Sequence, residues 1–212
     1  MVHSPAIRLE LCYYECPPGE ERQHAWGELA GSFHRLTTIG DELMEAAKHR
    51  RIEKALARVQ LHVETYLARA YELRDRAVSL TQTVFPEEPQ LGALKKPEKR
   101  AACIERLARK DQRFAVALDE LLGLLDDDTL LRNTHTHTNY VALRLFTSEN
   151  NFDPQDTWDH LKDRPQAPVF RRLLRRAIQK VAVQYAVRIQ GICKAGWTLA
   201  DSADRMIRAA PR

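Results

Sequence analysis

Glycine is scarce in this chain, with 8 in 212 residues, and the middle and end are rich in Ala, Leu, Glu and Arg. That composition favours a mostly helical fold. No stretch approaches eighteen uninterrupted apolar residues, which excludes a transmembrane helix. The N-terminus lacks a basic region followed by an apolar block, so no signal peptide is expected and the chain is expected to be cytoplasmic. Cysteine is as sparse as a reducing compartment would allow: Cys12, Cys16, Cys103 and Cys193 carry no disulfide-framework spacing. Cys12-x3-Cys16 is half a zinc site without a matching second pair, so free thiols are expected and no metal or other cofactor. Neither sign of charge dominates, at a net +4, and there is no internal repeat or low-complexity region.

Helical periodicity fills most of the chain. Ile52, Leu56, Val59, Val63, Tyr66, Ala70, Leu73, Ala77, Leu80 and Val84 alternate spacings of 4 and 3. Such a seam packs against neighbouring helices at a shallow angle. Arg51, Glu53, Lys54, Arg58, Glu64, Arg69, Glu72, Arg74, Asp75 and Arg76 read as the solvated face. One long helix is expected over about 41–84, closed by Pro86 and Pro89. Further helices are expected over about 20–38, 97–110 and 112–125. Another should begin near Thr129 behind the N-capping Asp126-Asp127-Asp128, with a short one ending near Lys162. A last long helix is expected over 168–195, its seam Phe170, Leu174, Ile178, Val181, Tyr185 and Ile192, with Gly196 ending it. Gly40-Asp41 reads as a break and N-cap. At the start, Ile7 to Leu11 alternates apolar and polar residues like a short strand, ended by Pro17-Pro18-Gly19. The expected architecture is all-α: a bundle of long antiparallel helices over 41–212 with a strand-like extension over 1–40.

The densest chemistry lies in Arg132-Asn133-Thr134-His135-Thr136-His137-Thr138-Asn139-Tyr140. Arginine binds phosphate oxygens bidentately with a permanent charge. Histidine exchanges a proton near neutral pH. A base for a 2′-hydroxyl, a cation for the phosphorane and an acid for the leaving oxygen suffice to cleave RNA. On an ideal helix Arg132 and His135 lie about 60° apart and share a face, whereas His137 lies about 140° from Arg132. Arg132 and His137 therefore converge only if the segment begins as a non-helical turn or if a second subunit completes the site. His135-x-His137 also has the spacing by which alternate strand residues chelate zinc, which needs a strand and a third ligand, His160 being nearest. The blandest reading is an inert polar helix end.

Arg132-Asn133-x3-His137 resembles the R-x4-6-H motif of HEPN domains, including the polar residue after the arginine. HEPN domains are similar small helical bundles in which the motif opens a late helix, and the resemblance spans roughly 43–195. It implies a metal-independent endoribonuclease, often homodimeric, of the kind found in toxin–antitoxin and anti-phage defence systems. Arg132 would bind and polarise the phosphate, His137 would be the general acid/base, and Asn133 would orient a motif side chain or a phosphate. The additional His135 leaves open which histidine acts. RNA, a second copy of the chain and an antitoxin or regulatory protein are the implied partners. The alternative is a HEPN-like module that binds RNA, nucleotide or protein without chemistry.

Outside the motif, Arg171, Arg172, Arg175, Arg176 and Lys180 form a stripe suited to an RNA backbone, or simply a solvated face. Lys95, Lys96, Lys99 and Arg100 form a smaller one. Tyr140 is placed to stack on a base or to pack in the core. Trp26, Trp158 and Trp197 share no spacing and read as packing residues.

Overall fold

A computed structural model describes residues 5–15, 21–138 and 154–209. Among these the chain forms seven α-helices and a short 3-10 helix, and no strand. They are α1 (Pro5–Glu15), α2 (Glu21–Ala47), α3 (Ile52–Val84), the 3-10 helix (Leu91–Lys95), α4 (Pro97–Lys110), α5 (Gln112–Thr138), α6 (Pro154–Leu161) and α7 (Ala167–Ala209).

Four of these, α2, α3, α5 and α7, make an up-down-up-down bundle whose directions follow from paired residues. Along α2 and α3, Glu42 meets His62 and Glu28 meets Arg76, so the two run antiparallel. Tyr66 meets Asp128, and Phe85 stacks edge-on with Phe114, so α5 returns antiparallel to α3. Gly40 lies against Ile189, Thr37 against Cys193 and Gly196 against Phe33, which makes α7 antiparallel to α2. The helix α7 then runs parallel to α3 across the bundle. The seam of α3 is buried along its length, Val84 at the end only partly. Leu174, Ile178, Val181 and Ile192 bury the matching face of α7.

Several boundaries differ from the sequence expectation, each for a local reason. Residues Pro5–Glu15 are helical, not strand-like. Ala6, Leu9 and Cys12, three apart, are buried on one face, whereas Ile7 and Leu11 are 53% and 50% exposed. The alternation over Ile7–Leu11 was a short sample of a helical pattern with two apolar faces. Gly40-Asp41 does not break the chain; α2 runs through it, and a Cβ at Gly40 would make ordinary contact with Ile189 of α7 at 3.6 Å. The division expected at residue 40 thus falls inside α2. Leu9, Trp26, Phe33 and Leu36, all before it, belong to the same core as the bundle.

The turn between α2 and α3 comes at 48–51, where no glycine or proline announces it. It is built by side chains: the Arg51 amide donates to His49 Nδ1 at 3.1 Å, and Arg175 of α7 donates to the carbonyls of His49 and Arg50 at 2.6 and 2.8 Å. The break at Asp111 is capped by its carboxylate, which accepts the Phe114 amide at 2.7 Å. Arg74 is buried, not solvated; it donates to the Lys95 carbonyl and pairs with Asp126 at 3.3 Å, anchoring the 3-10 helix.

At the ends of the fold, α1 is fastened to α7 through buried Asp204. This carboxylate accepts from Arg8 at 2.6 Å, from the Cys12 thiol at 3.4 Å and from Arg208 at 2.8 Å. Burial first, and the Asp204 charge next, raise the Cys12 thiol to about 12, so it is an inert packing group. Cys12, Cys103 and Cys193 are free and buried, and Cys16 lies outside the described residues. No helix among the described residues is long and apolar enough to cross a membrane.

Gly196 does not end α7, which continues thirteen residues further to Ala209. It sits where Phe33 of α2 presses on α7: a Cβ there would stand 2.0 Å from Phe33 Cζ. Gly196→Ala should therefore cost about 1–3 kcal/mol in urea denaturation by overpacking. Phe33→Leu added to it should recover part of that loss, and an additive double variant would show that the two do not meet.

Candidate functional site

On α5 the buried seam Phe114, Leu118, Leu121, Leu125 keeps the 4-3 spacing of α3, and its next position is Asp128. A carboxylate in a hydrophobic seam needs partners. Asp128, 3% exposed, accepts the Tyr66 hydroxyl of α3 at 2.6 Å and Arg188 Nε of α7 at 2.9 Å. Arg188 Nη2 also donates to the Leu124 carbonyl at 2.9 Å and lies 3.7 Å from Asp127. Tyr185 packs edge-on against Tyr66, ring centroids 5.2 Å apart. Burial pushes the Asp128 carboxyl up, and the Tyr66 and Arg188 hydrogen bonds pull it partly back. Burial, reinforced by Asp128, pushes the Tyr66 phenol up, so it stays a hydrogen-bond donor.

The acidic triplet is thus not an N-cap. α5 continues through it without a break to Thr138, and its three carboxylates go separate ways. Asp126 turns to Arg74 and Arg100, Asp127 stays exposed, and Asp128 enters the core.

The segment 132–137 therefore stands twenty residues into a long helix and does not open one. Its backbone is helical, and the seam positions that follow Asp128 in register are 132 and 135, not 137. The side chains of Arg132, Asn133, His135 and His137 lie outside the described residues, as do Asn139 and Tyr140. Continuing α5 from Asp128 to Thr138 advances it about 15 Å, toward the end of the bundle that holds the α2–α3 turn. The first turns of α7 are at that same end. Arg171 lies 5.7 Å over the Trp158 ring, and Trp158 donates to Glu53 at the start of α3 at 2.7 Å.

The basic stripe divides. Arg175 is committed to the carbonyls of the α2–α3 turn and Arg171 leans on Trp158, while Arg172, Arg176 and Lys180 are exposed. The second cluster is largely structural: Lys95 pairs with Asp75 at 2.7 Å and Arg100 with Asp119 and Asp126, which leaves Lys96 and Lys99 exposed. Trp26 and Trp158 are buried packing residues and Trp197 is half-buried. His160 is exposed on α6, and among the described residues no group of three or more His, Cys, Asp or Glu is placed to hold a metal ion.

The Tyr66–Asp128–Arg188 junction was not read from the sequence, although a signal existed. The α7 seam steps from Tyr185 to Ile192, and the skipped position in register is Arg188. A charge in that gap, opposite a tyrosine in the α3 seam, implies a buried carboxylate partner. Compared with models of known protein families, with curated proteins and with solved structures, the chain matches none.

Tyr66→Phe removes a hydrogen bond to a charged acceptor with no change of ring packing and should cost about 1.5–3 kcal/mol in urea denaturation. A loss below about 0.5 kcal/mol would mean that Arg188 alone holds Asp128. At the other contact, Glu53 is held below the usual carboxylate value of 4.5, first by its own backbone amide, with the Trp158 indole assisting against desolvation. A depressed carboxyl stabilises the fold above its unfolded value, and that contribution is lost as pH falls through its folded value. Trp158 fluorescence should therefore report loosening of α6 below pH 4.5, a dependence that Glu53→Gln should remove.

Proposed function

We propose that this protein is a metal-independent endoribonuclease of HEPN type, a toxin or anti-phage effector that cleaves RNA by 2′-hydroxyl attack. The observation that carries this reading is the meeting of two features at one end of an all-α bundle. One is the helical segment with Arg132, Asn133, His135 and His137, and the other is the exposed stripe Arg172, Arg176 and Lys180 on α7. In this reading the stripe and Arg132 bind phosphates, Tyr140 stacks on a base, and a histidine of the motif moves the proton. The Asp128 junction, one turn before Arg132, fixes the helix that carries them. The helical register pairs positions 132 and 135 within one subunit, whereas a site built on Arg132 and His137 draws on both members of a homodimer.

A second reading, a HEPN-like module that binds RNA, nucleotide or a protein without cleaving, is favoured by one observation. The helical backbone sets positions 132 and 137 about 140° apart.

The test is cleavage of RNA by purified protein in EDTA, with end-group analysis. Wild type should cut and leave 2′,3′-cyclic phosphate ends, and Arg132→Ala should cut at least about 100-fold more slowly. Loss in His135→Ala marks a site within one subunit. Loss in His137→Ala, with a dimer by light scattering, marks a shared one. RNA bound but uncut by every form would establish the second reading. Activity abolished by EDTA yet spared by Arg132→Ala would refute both.

A further inference from the structure

From Phe114 to Leu131 the chain has no lysine or arginine and five carboxylates, although its net charge is +4. Three of the five are used by the fold: Asp119 pairs with Arg100 at 3.1 Å, Asp126 with Arg74 and Arg100, and Asp128 with Tyr66 and Arg188. Two are not consumed in this way. Glu120 is exposed and has no ion pair among the described residues. Asp127, its side chain 87% exposed, lies 3.7 Å from an Arg188 guanidinium that Asp128 and the Leu124 carbonyl already hold.

These two carboxylates belong to an outward seam. Val116, Glu120, Gly123, Asp127 and Leu130 repeat the 4-3 spacing on the solvent side of α5, with Val116 58% and Leu130 69% exposed. The seam borders a cleft of about 620 Å³ between α4 and α5, walled by Ile104 and Leu124 and closed at one side by Arg188. Gly123 sits in the middle. A glycine inside a helix is destabilising relative to alanine, and a Cβ here would meet nothing within 4 Å. No neighbour among the described residues requires it. A glycine on an open helix face does serve the close approach of another backbone.

We propose that the α4–α5 face docks a basic amphipathic helix of a partner protein. Apolar side chains fourteen residues apart on that helix would seat beside Val116 and Leu130, about 21 Å apart along α5, with its backbone crossing at Gly123. Lysines or arginines next to them would pair with Glu120 and Asp127. The spacing calls for a helix because 4-3 seams interdigitate with seams of the same period. The rim calls for a basic one: three carboxylates line it against one arginine, Arg188, which Asp128 and the Leu124 carbonyl already hold, and such a surface steers and selects cations. Arg188 walls the cleft and also holds Asp128 in the core, so the docked helix would touch the junction that fixes the far half of α5. This inference does not depend on the ribonuclease reading.

The test uses the full chain and two fluorescein-labelled 21-residue helical peptides with leucine at every seventh position. One carries Lys and Arg beside the leucines, the other Glu. By fluorescence anisotropy the basic peptide should bind and the acidic one should not. Affinity should fall at least tenfold in the Glu120→Lys/Asp127→Lys variant and in Gly123→Leu, and stay unchanged in Arg172→Glu on α7. All substituted positions are exposed, and circular dichroism melting checks that each variant folds. No binding of the basic peptide, or equal binding by wild type and the groove variants, overturns the proposal. So does a wild type that sediments as a dimer and becomes a monomer in Glu120→Lys/Asp127→Lys, since the occupant is then a second copy.

Discussion

One buried carboxylate sets the register of the bundle. Asp128 takes a hydroxyl from α3 and a guanidinium from α7 while belonging to α5, so three of the four long helices meet at one atom group. Apolar seams of period 4-3 slide past one another at modest cost, because each turn presents much the same surface as the last. A charge taken out of water has only one acceptable position, where its partners are. The tyrosine, the aspartate and the arginine thus select one alignment among several that leucine packing would tolerate. The cost is desolvation of an ion pair, which is offset because Arg188 is only partly withdrawn from solvent and its remaining N–H groups find the Leu124 carbonyl.

The same junction divides α5 into two halves of different character. Before Asp128 its inward face is phenylalanine and leucine; beyond it, the positions in register are occupied by arginine and histidine. The outward surface is divided as well. The outward seam of α5 presents carboxylates beside a shallow cleft, and the exposed part of early α7 presents cations. A chain of nearly balanced charge thereby offers two surfaces of opposite sign, which net charge alone conceals.

What was legible in the sequence was periodicity, and what was not was the chemistry of interruptions. The α3 seam, the α7 seam and the helices beginning at Pro97 and Gln112 are recognisable because burial repeats every three or four residues. The failures share a cause. Gly196 and the Asp126–Asp128 triplet read as local punctuation, whereas each answers a distant residue: Phe33, and the Tyr66–Arg188 pair. Conversely, the real turn at 48–51 has no glycine or proline to announce it, and Arg175, the donor to its His49 and Arg50 carbonyls, lies more than a hundred residues away. The basic stripe was legible as a stripe, but which arginines the fold would claim was not, since that depends on the carbonyls and rings brought beneath them.

The fastening of α1 to α7 through Asp204 has a consequence for how this molecule opens. Arg8, Cys12 and Arg208 share one acceptor, so the first described helix and the last turns of the final one cannot fray independently. Helix ends ordinarily exchange their amide hydrogens freely, yet here release of either end requires both to let go. Two segments at opposite extremes of the chain thus form a single cooperative unit, with common protection against hydrogen exchange and a common exposure to proteases once it opens.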